Sequence, residues 1–164
     1  CDIGCGIIAL LPIDAISVSR ISHPRDRFSP GDDIRVILRD IAEDGKITLS
    51  HKELLGTWEE NAAAFSPGQT VTGVIRSIEE YGVFVELTPN LAGLAEPRSD
   101  VFIGQQASVY IKSILPEKMK IKLIVIDSFD SSYTTPIHYF YTDDRICEWD
   151  YSPQLCRKKI CSNF

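Results

Sequence analysis

The sequence predicts an all-β protein: two small five-stranded antiparallel barrels, the first incomplete and the second complete, joined by a short helix and followed by a C-terminal β-hairpin. Two observations carry this. From Gly68 to Leu123, apolar residues alternate with polar ones at Val71, Gly73 and Ile75, at Val83 and Val85, at Val109 and Ile111, and at Met119, Ile121 and Leu123. Period two in short, turn-bounded segments marks half-buried strands, and closing five of them into a barrel removes the exposed edges of an open sheet. The second observation is a repeat. Aligning Gly31 with Gly104 places Val36 on Val109, Leu38 on Ile111, Arg39 on Lys112 and Ile41 on Ile114, and KITL (Lys46–Leu49) then falls on KIKL (Lys120–Leu123). Upstream, ALLP (Ala9–Pro12) matches GLAE (Gly93–Glu96). Such self-similarity marks two copies of one supersecondary unit.

The first unit spans residues 1–52 and lacks a first strand. GIIALLP (Gly6–Pro12) reads as a strand, and a polar stretch broken by Pro24, Pro30 and Gly31 follows. DIRVILRD (Asp33–Asp40) and ITLS (Ile47–Ser50), separated by a turn around Asp44-Gly45, read as a hairpin. An incomplete barrel has an open edge, which the C-terminal hairpin or a second molecule is expected to cover.

Residues 53–67 read as a linker helix. Thr57 with Glu60 three residues on is a capping-box signature, and Trp58, Ala62 and Phe65 fall on one face. The complete barrel occupies residues 68–127. In residues 128–164, IHYFY (Ile137–Tyr141) and RICEWDY (Arg145–Tyr151) suggest an aromatic hairpin, whose rings favour packing over a stacking platform.

The chain has 164 residues, 44% of them hydrophobic and 24% charged, which is an ordinary soluble composition. Its net charge of −6 argues against general binding to duplex phosphate. Six basic and seven acidic residues share Gly68–Asp127, so any nucleic-acid site there must be a local patch. Cys1, Cys5, Cys147, Cys156 and Cys161 form no C-x-x-C pair and read as free thiols, and His138 with Cys147, Cys156 and Cys161 is a loose fit to zinc. His23, His51 and His138 read as surface or turn histidines. No phosphate loop, metal motif or nucleophile elbow is present, so neither a cofactor nor catalysis is expected. No apolar run reaches membrane-spanning length and no signal peptide is visible, which points to the cytoplasm.

TVTGVIRSIEEYGVFVEL (Thr70–Leu87), LAGLAEP (Leu91–Pro97) and IGQQASVYIKSILPEKMKIKL (Ile103–Leu123) together resemble the RNA-binding repeat of bacterial small-ribosomal-subunit protein S-one, an oligonucleotide-binding-fold barrel. The earlier half, Asp2–Leu54, resembles a second such repeat entered partway through its second strand. The resemblance implies single-stranded RNA as partner, bound on the face of barrel strands two and three. Tyr81 and Phe84 take the places of the family's base-stacking aromatics, and Lys120 takes the place of its basic residue before the last strand. Phe84 has opposite parity to Val83 and Val85 and should point outward. Lys118, Lys120 and Lys122 alternate with Met119, Ile121 and Leu123 and should share one face, with Lys112 and Arg76 as further phosphate contacts. Four features depart from the family. Glu96 stands where it has a histidine, and Pro116 stands where it has an aspartate in the last turn. The loop after strand three (Pro97–Gly104) is short, and the first repeat lacks the aromatic pair.

Three functions follow. One is non-catalytic binding of single-stranded RNA in translation or RNA metabolism. The second is a protein-interaction module docking on the ribosome or another protein, and the third an accessory module of an RNA-processing enzyme. RNA sequence preference and oligomeric state stay open at this level.

Overall fold

Val83, Val85, Val109, Ile111, Ile121 and Leu123, the apolar half of the alternation, are all at most 2% exposed and form the centre of the molecule. In this computed structural model, which describes residues 1–164, they belong to five strands: β3 (Thr70–Glu79), β4 (Gly82–Thr88), β5 (Leu91–Ala95), β6 (Gln106–Leu115) and β7 (Lys120–Phe129). Before them come β1 (Ile37–Ile41), β2 (Ile47–Ser50) and the helix α1 (Trp58–Ala62), and after them β8 (Glu148–Asp150) and β9 (Cys161–Asn163). The five central strands close in the order β3-β4-β5-β7-β6, with β6 returning to β3. Every neighbour is antiparallel except β5 and β7, which run parallel through Leu94↔Lys122 and Ala95↔Leu123. That parallel contact needs Gly93, because a Cβ there would lie 2.5 Å from Leu123 Cδ1.

The first half forms a single hairpin. β1 pairs with β2 across a turn in which Gly45 takes φ 82° and donates to the Ala42 carbonyl at 2.8 Å. Its register repeats that of β6–β7. Leu38↔Leu49, Asp40↔Thr48 and Ile41↔Ile47 match Ile111↔Leu123, Ser113↔Lys122 and Ile114↔Ile121, with a bulge at the same place.

Two strand expectations are corrected here. Gly6–Pro12 forms no continuous strand and makes only the bridges Asp2↔Ile8 and Leu10↔Thr48, the latter parallel like Leu94↔Lys122. The strand expected from Asp33 begins at Ile37, because Ile34 and Val36 have no backbone partner to bond.

The linker carries its cap. Thr57 Oγ1 accepts from Glu60 N–H at 3.2 Å, and the Glu60 carboxylate accepts from Thr57 N–H at 2.7 Å. Such a cap contributes about 1 kcal/mol. Trp58, Ala62 and Phe65 pack on the barrel core.

The expected hairpin of Ile137–Tyr141 with Arg145–Tyr151 does not form. β8 pairs instead with β9 at the C-terminus, and Ile137–Tyr141 is irregular. Ile146, Trp149 and Tyr151 sink into the same core as Trp58, so these rings pack and offer no stacking platform. Asn90 joins the parts. Its amide donates to the carbonyls of Lys52 (2.8 Å) and Gly56 (2.9 Å), its side-chain oxygen accepts from Val18 N–H (3.0 Å), and its backbone carbonyl accepts from the Tyr151 hydroxyl. No helix is long and apolar enough to cross a membrane.

Candidate nucleic-acid interface

Pairing across the sheet lines up one outward row: Ser77 on β3, Phe84 on β4, Leu94 on β5 and Lys122 on β7. Val83 and Val85 are fully buried on either side of Phe84, so Phe84 faces out as its parity requires, and it is half-buried by its neighbours. Tyr81, in the turn between β3 and β4, is 65% exposed and meets Phe84 edge to face, ring centroids 6.1 Å apart at 87°. An edge-to-face pair of this kind is worth about 0.5–1.5 kcal/mol. Gly82, between these rings in sequence, lets β5 come close to β4. A Cβ there would stand 2.4 Å from the Ala95 carbonyl oxygen and 2.6 Å from Leu94 Cδ1.

The lysines divide. Lys120 and Lys122 flank buried Ile121 on β7 and are exposed on the outer face, and Lys112 is exposed beside Ser113, whose partner is Lys122. Lys118 is not part of the expected stripe. It lies in the 3-10 turn Pro116–Lys118, and Met119 after it takes a left-handed φ of 48°, which breaks the alternation before β7 starts. Glu79, Glu80 and Glu96 are exposed near the ends of these strands.

The next outward row holds what sequence reasoning missed. Glu86, two residues beyond Phe84 and on the same side of β4, is fully buried. Its carboxylate accepts from Arg27 Nη1 (2.6 Å) and Nη2 (2.9 Å), Arg76 Nε (3.0 Å), Thr135 Oγ1 (2.6 Å) and Ser19 Oγ (3.0 Å). Burial pushes this carboxyl up. The Arg27 hydrogen bonds and charge, helped by Arg76 and Thr135, outweigh that and hold it below its ordinary value. Arg76 also donates to the Asp26 carbonyl at 3.4 Å. The guanidinium expected to meet phosphate is therefore engaged by a carboxylate and lies outside the Phe84 row. Ser19 N–H donates to the Pro89 carbonyl at 3.2 Å, so the segment Ser17–Arg27 covers this half of the face. The parity of Glu86 with Phe84 was a visible signal; its partner Arg27, 59 residues away, was not.

His51, read as a surface or turn histidine, is buried. Its Nδ1 lies 2.6 Å from the Ile16 carbonyl and its Nε2 3.2 Å from the Tyr139 hydroxyl, which fits a neutral ring donating at the first and accepting at the second. Burial pushes its pKa down. No three His, Cys, Asp or Glu side chains come together in a metal-binding cluster, and all five cysteines are free thiols.

No family model matches the chain. Among curated proteins, small ribosomal subunit protein bS1 of Leuconostoc lactis is 29% identical over 74% of this chain and 31% of its own length. The bS1 homolog of Bacillus subtilis is 30% identical over 77% of this chain and 32% of its own. The chain carries an S1-like domain. An enzyme matches as well: 4-hydroxy-3-methylbut-2-enyl diphosphate reductase of Clostridium tetani, 31% identical over 73% of this chain and 21% of its own length. The S1-like chain thus spans between about a fifth and a third of these relatives.

Proposed function

We propose that the barrel binds single-stranded RNA, without catalysis, on the outer face of β4, β5 and β7. The observation that carries this reading is the row of Phe84, Leu94 and Lys122 with Tyr81 edge-on to Phe84. Flat apolar faces beside mobile cations are what an unpaired strand needs, since bases stack on rings and phosphates follow the charges. The strand order, with one parallel pair and β6 closing on β3, supports an oligonucleotide-binding barrel. The repeated hairpin register supports a tandem layout in which residues 1–52 carry part of a second such unit.

In this reading Tyr81 and Phe84 stack on bases, and Lys120, Lys122 and Lys112 meet phosphates. Lys118 reaches the strand only from the adjoining turn. Arg76 positions the Ser17–Arg27 segment through Glu86 and leaves phosphate to the lysines. Similarity to bS1 supports a place in translation, with the ribosome as a second partner.

The test is a fluorescence titration of labelled oligouridylate at two salt concentrations. Stacking is worth about 1–3 kcal/mol per base, so Tyr81→Ala with Phe84→Ala should weaken binding roughly 5- to 150-fold for each base lost. Lys120→Ala with Lys122→Ala should lower the slope of log affinity against log salt by about 1.4, at about 0.7 per phosphate on a single strand. Unchanged binding in the aromatic double variant overturns the stacking site. No binding by the wild type at low salt overturns the RNA reading and favours docking on protein.

A further inference from the structure

The cations of this chain are unevenly spread. Residues 151–164 hold Arg157, Lys158 and Lys159 and no aspartate or glutamate, in a chain whose net charge is −6. The fold pins this segment. β9 pairs with β8, Tyr151 N–H donates to the Ile160 carbonyl at 2.9 Å, and Ser152 Oγ accepts from Ile160 N–H at 2.8 Å. Lys159 Nζ donates to the Pro153 carbonyl at 3.1 Å. Arg157 and Lys158 are exposed, and neither side chain joins an ion pair or a hydrogen bond.

Lys158 reaches the barrel. With Ala92 of β5 and Met119, the residue before β7, it lines a cavity of about 160 Å³ and is the only charged residue to do so. Ala92 shares the outward side of Leu94, whereas Leu91, Gly93 and Ala95 are buried. The cavity therefore continues the row of Phe84, Leu94 and Lys122, two residues or about 7 Å further along β5. Three of its polar side chains are engaged inside the protein. Asn90 bonds Val18, Lys52 and Gly56, Ser19 donates to Glu86, and the Tyr151 hydroxyl donates to the Asn90 carbonyl. A small, largely apolar cavity beside unpaired cations suits a group with one flat apolar part and one anionic part. A nucleotide is such a group.

We infer that the C-terminal basic turn at residues 157–159 is a second nucleotide-binding element on the path of a single strand. This rests on the RNA reading proposed above and extends it beyond the barrel. The strand that stacks on Tyr81 and Phe84 crosses Leu94 past Lys122 and Lys120. It then seats one nucleotide against Ala92 and Met119 and gives its next phosphates to Lys158 and Arg157. Lys159, tied to Pro153, holds the turn. These contacts are to phosphate and to an apolar base face, so the element adds affinity and footprint without adding sequence preference.

The experiment uses the full chain with a labelled tetramer and a labelled dodecamer of oligouridylate. For the dodecamer, Arg157→Ala with Lys158→Ala should lower the slope of log affinity against log salt by about 1.4, at about 0.7 per phosphate. Between about 50 and 200 mM salt, the variant should thus lose about sevenfold less affinity than the wild type. The tetramer, held at Tyr81 and Phe84, should keep its wild-type slope. Both replaced side chains are exposed and unbonded, so thermal unfolding should not move. Met119 is the single methionine, and its methyl NMR signal should shift when the dodecamer binds the wild type and stay in place with the variant. Tyr81→Ala with Phe84→Ala, which tests the stacking face by itself, should weaken both lengths. An unchanged dodecamer slope in the tail variant, with both lengths still weakened by the aromatic variant, overturns this element and leaves the stacking face standing. Equal slope losses for tetramer and dodecamer overturn the path, because a tail acting only through its general field serves both lengths alike. A wild-type Met119 signal that stays in place at saturation overturns the nucleotide seat. Binding of neither length overturns both readings.

Discussion

Glu86→Gln keeps the shape of the buried carboxylate and removes its charge. The Arg27 side chain is 1% exposed and that of Arg76 11%, so the first guanidinium has no water to turn to. Breaking a buried ion pair by neutralising one partner typically costs about 3–5 kcal/mol, a large part of the 5–15 kcal/mol that stabilises an ordinary domain. Urea unfolding at pH 7 should therefore show a lower midpoint at unchanged slope. The folded Glu86 pKa lies below its ordinary value of 4.5. Its contribution is thus fully present above that value and is lost as pH falls through the depressed one. The wild-type and Glu86→Gln stabilities should converge in that acid range. Replacing Glu86→Leu with Arg27→Met should recover part of the loss, because the more deeply buried charge goes with the pair while Arg76, 11% exposed, keeps some access to water. A Glu86→Gln loss under about 1 kcal/mol, or a gap that persists in acid, would refute the assignment of this cluster as a buried ionic tie.

Three further outcomes can be checked. His51 is held neutral in the fold, so its contribution is complete above its ordinary pKa of 6.5 and falls as pH drops from there through the lowered value; an NMR titration should show its ring unprotonated below pH 6.5. Gly82→Ala drives a methyl against the Ala95 carbonyl and should cost roughly 1–3 kcal/mol by thermal unfolding, while weakening any ligand held at Tyr81 and Phe84. Thr57→Ala removes a helix cap and should cost about 1 kcal/mol, with Thr57→Ser restoring most of it.

The barrel was legible because its residues obey one rule over long runs. Val83, Val85 and Leu87 in β4, and Val109, Ile111, Ile121 and Leu123 in β6 and β7, lie on the buried side that parity assigns, and Phe84 lies on the outer one. The rule fails where backbone geometry changes. At Met119 a left-handed residue interrupts the alternation, so Lys118 leaves the row that its spacing suggested. The C-terminal pairing was hidden for a different reason. β8 and β9 contribute three residues each across an irregular connection, too short for any period to show. Phe84 was placed by parity alone. Glu86 shares that parity, yet its meaning rests on Arg27 and Thr135, which only the folded chain brings to it.

The matched hairpins also make the molecule its own reference for the worth of closing a sheet on itself. Leu38 and Ile111, Ile41 and Ile114 sit at the same rungs beside the same bulge, in one solution and at one pH. Unpaired edges and solvent-exposed ladders open locally at low free energy, whereas core strands open only with the whole fold. The exchange rates of those paired amides, read from a single sample, would measure residue by residue how much longevity a hairpin gains when its far edge is occupied.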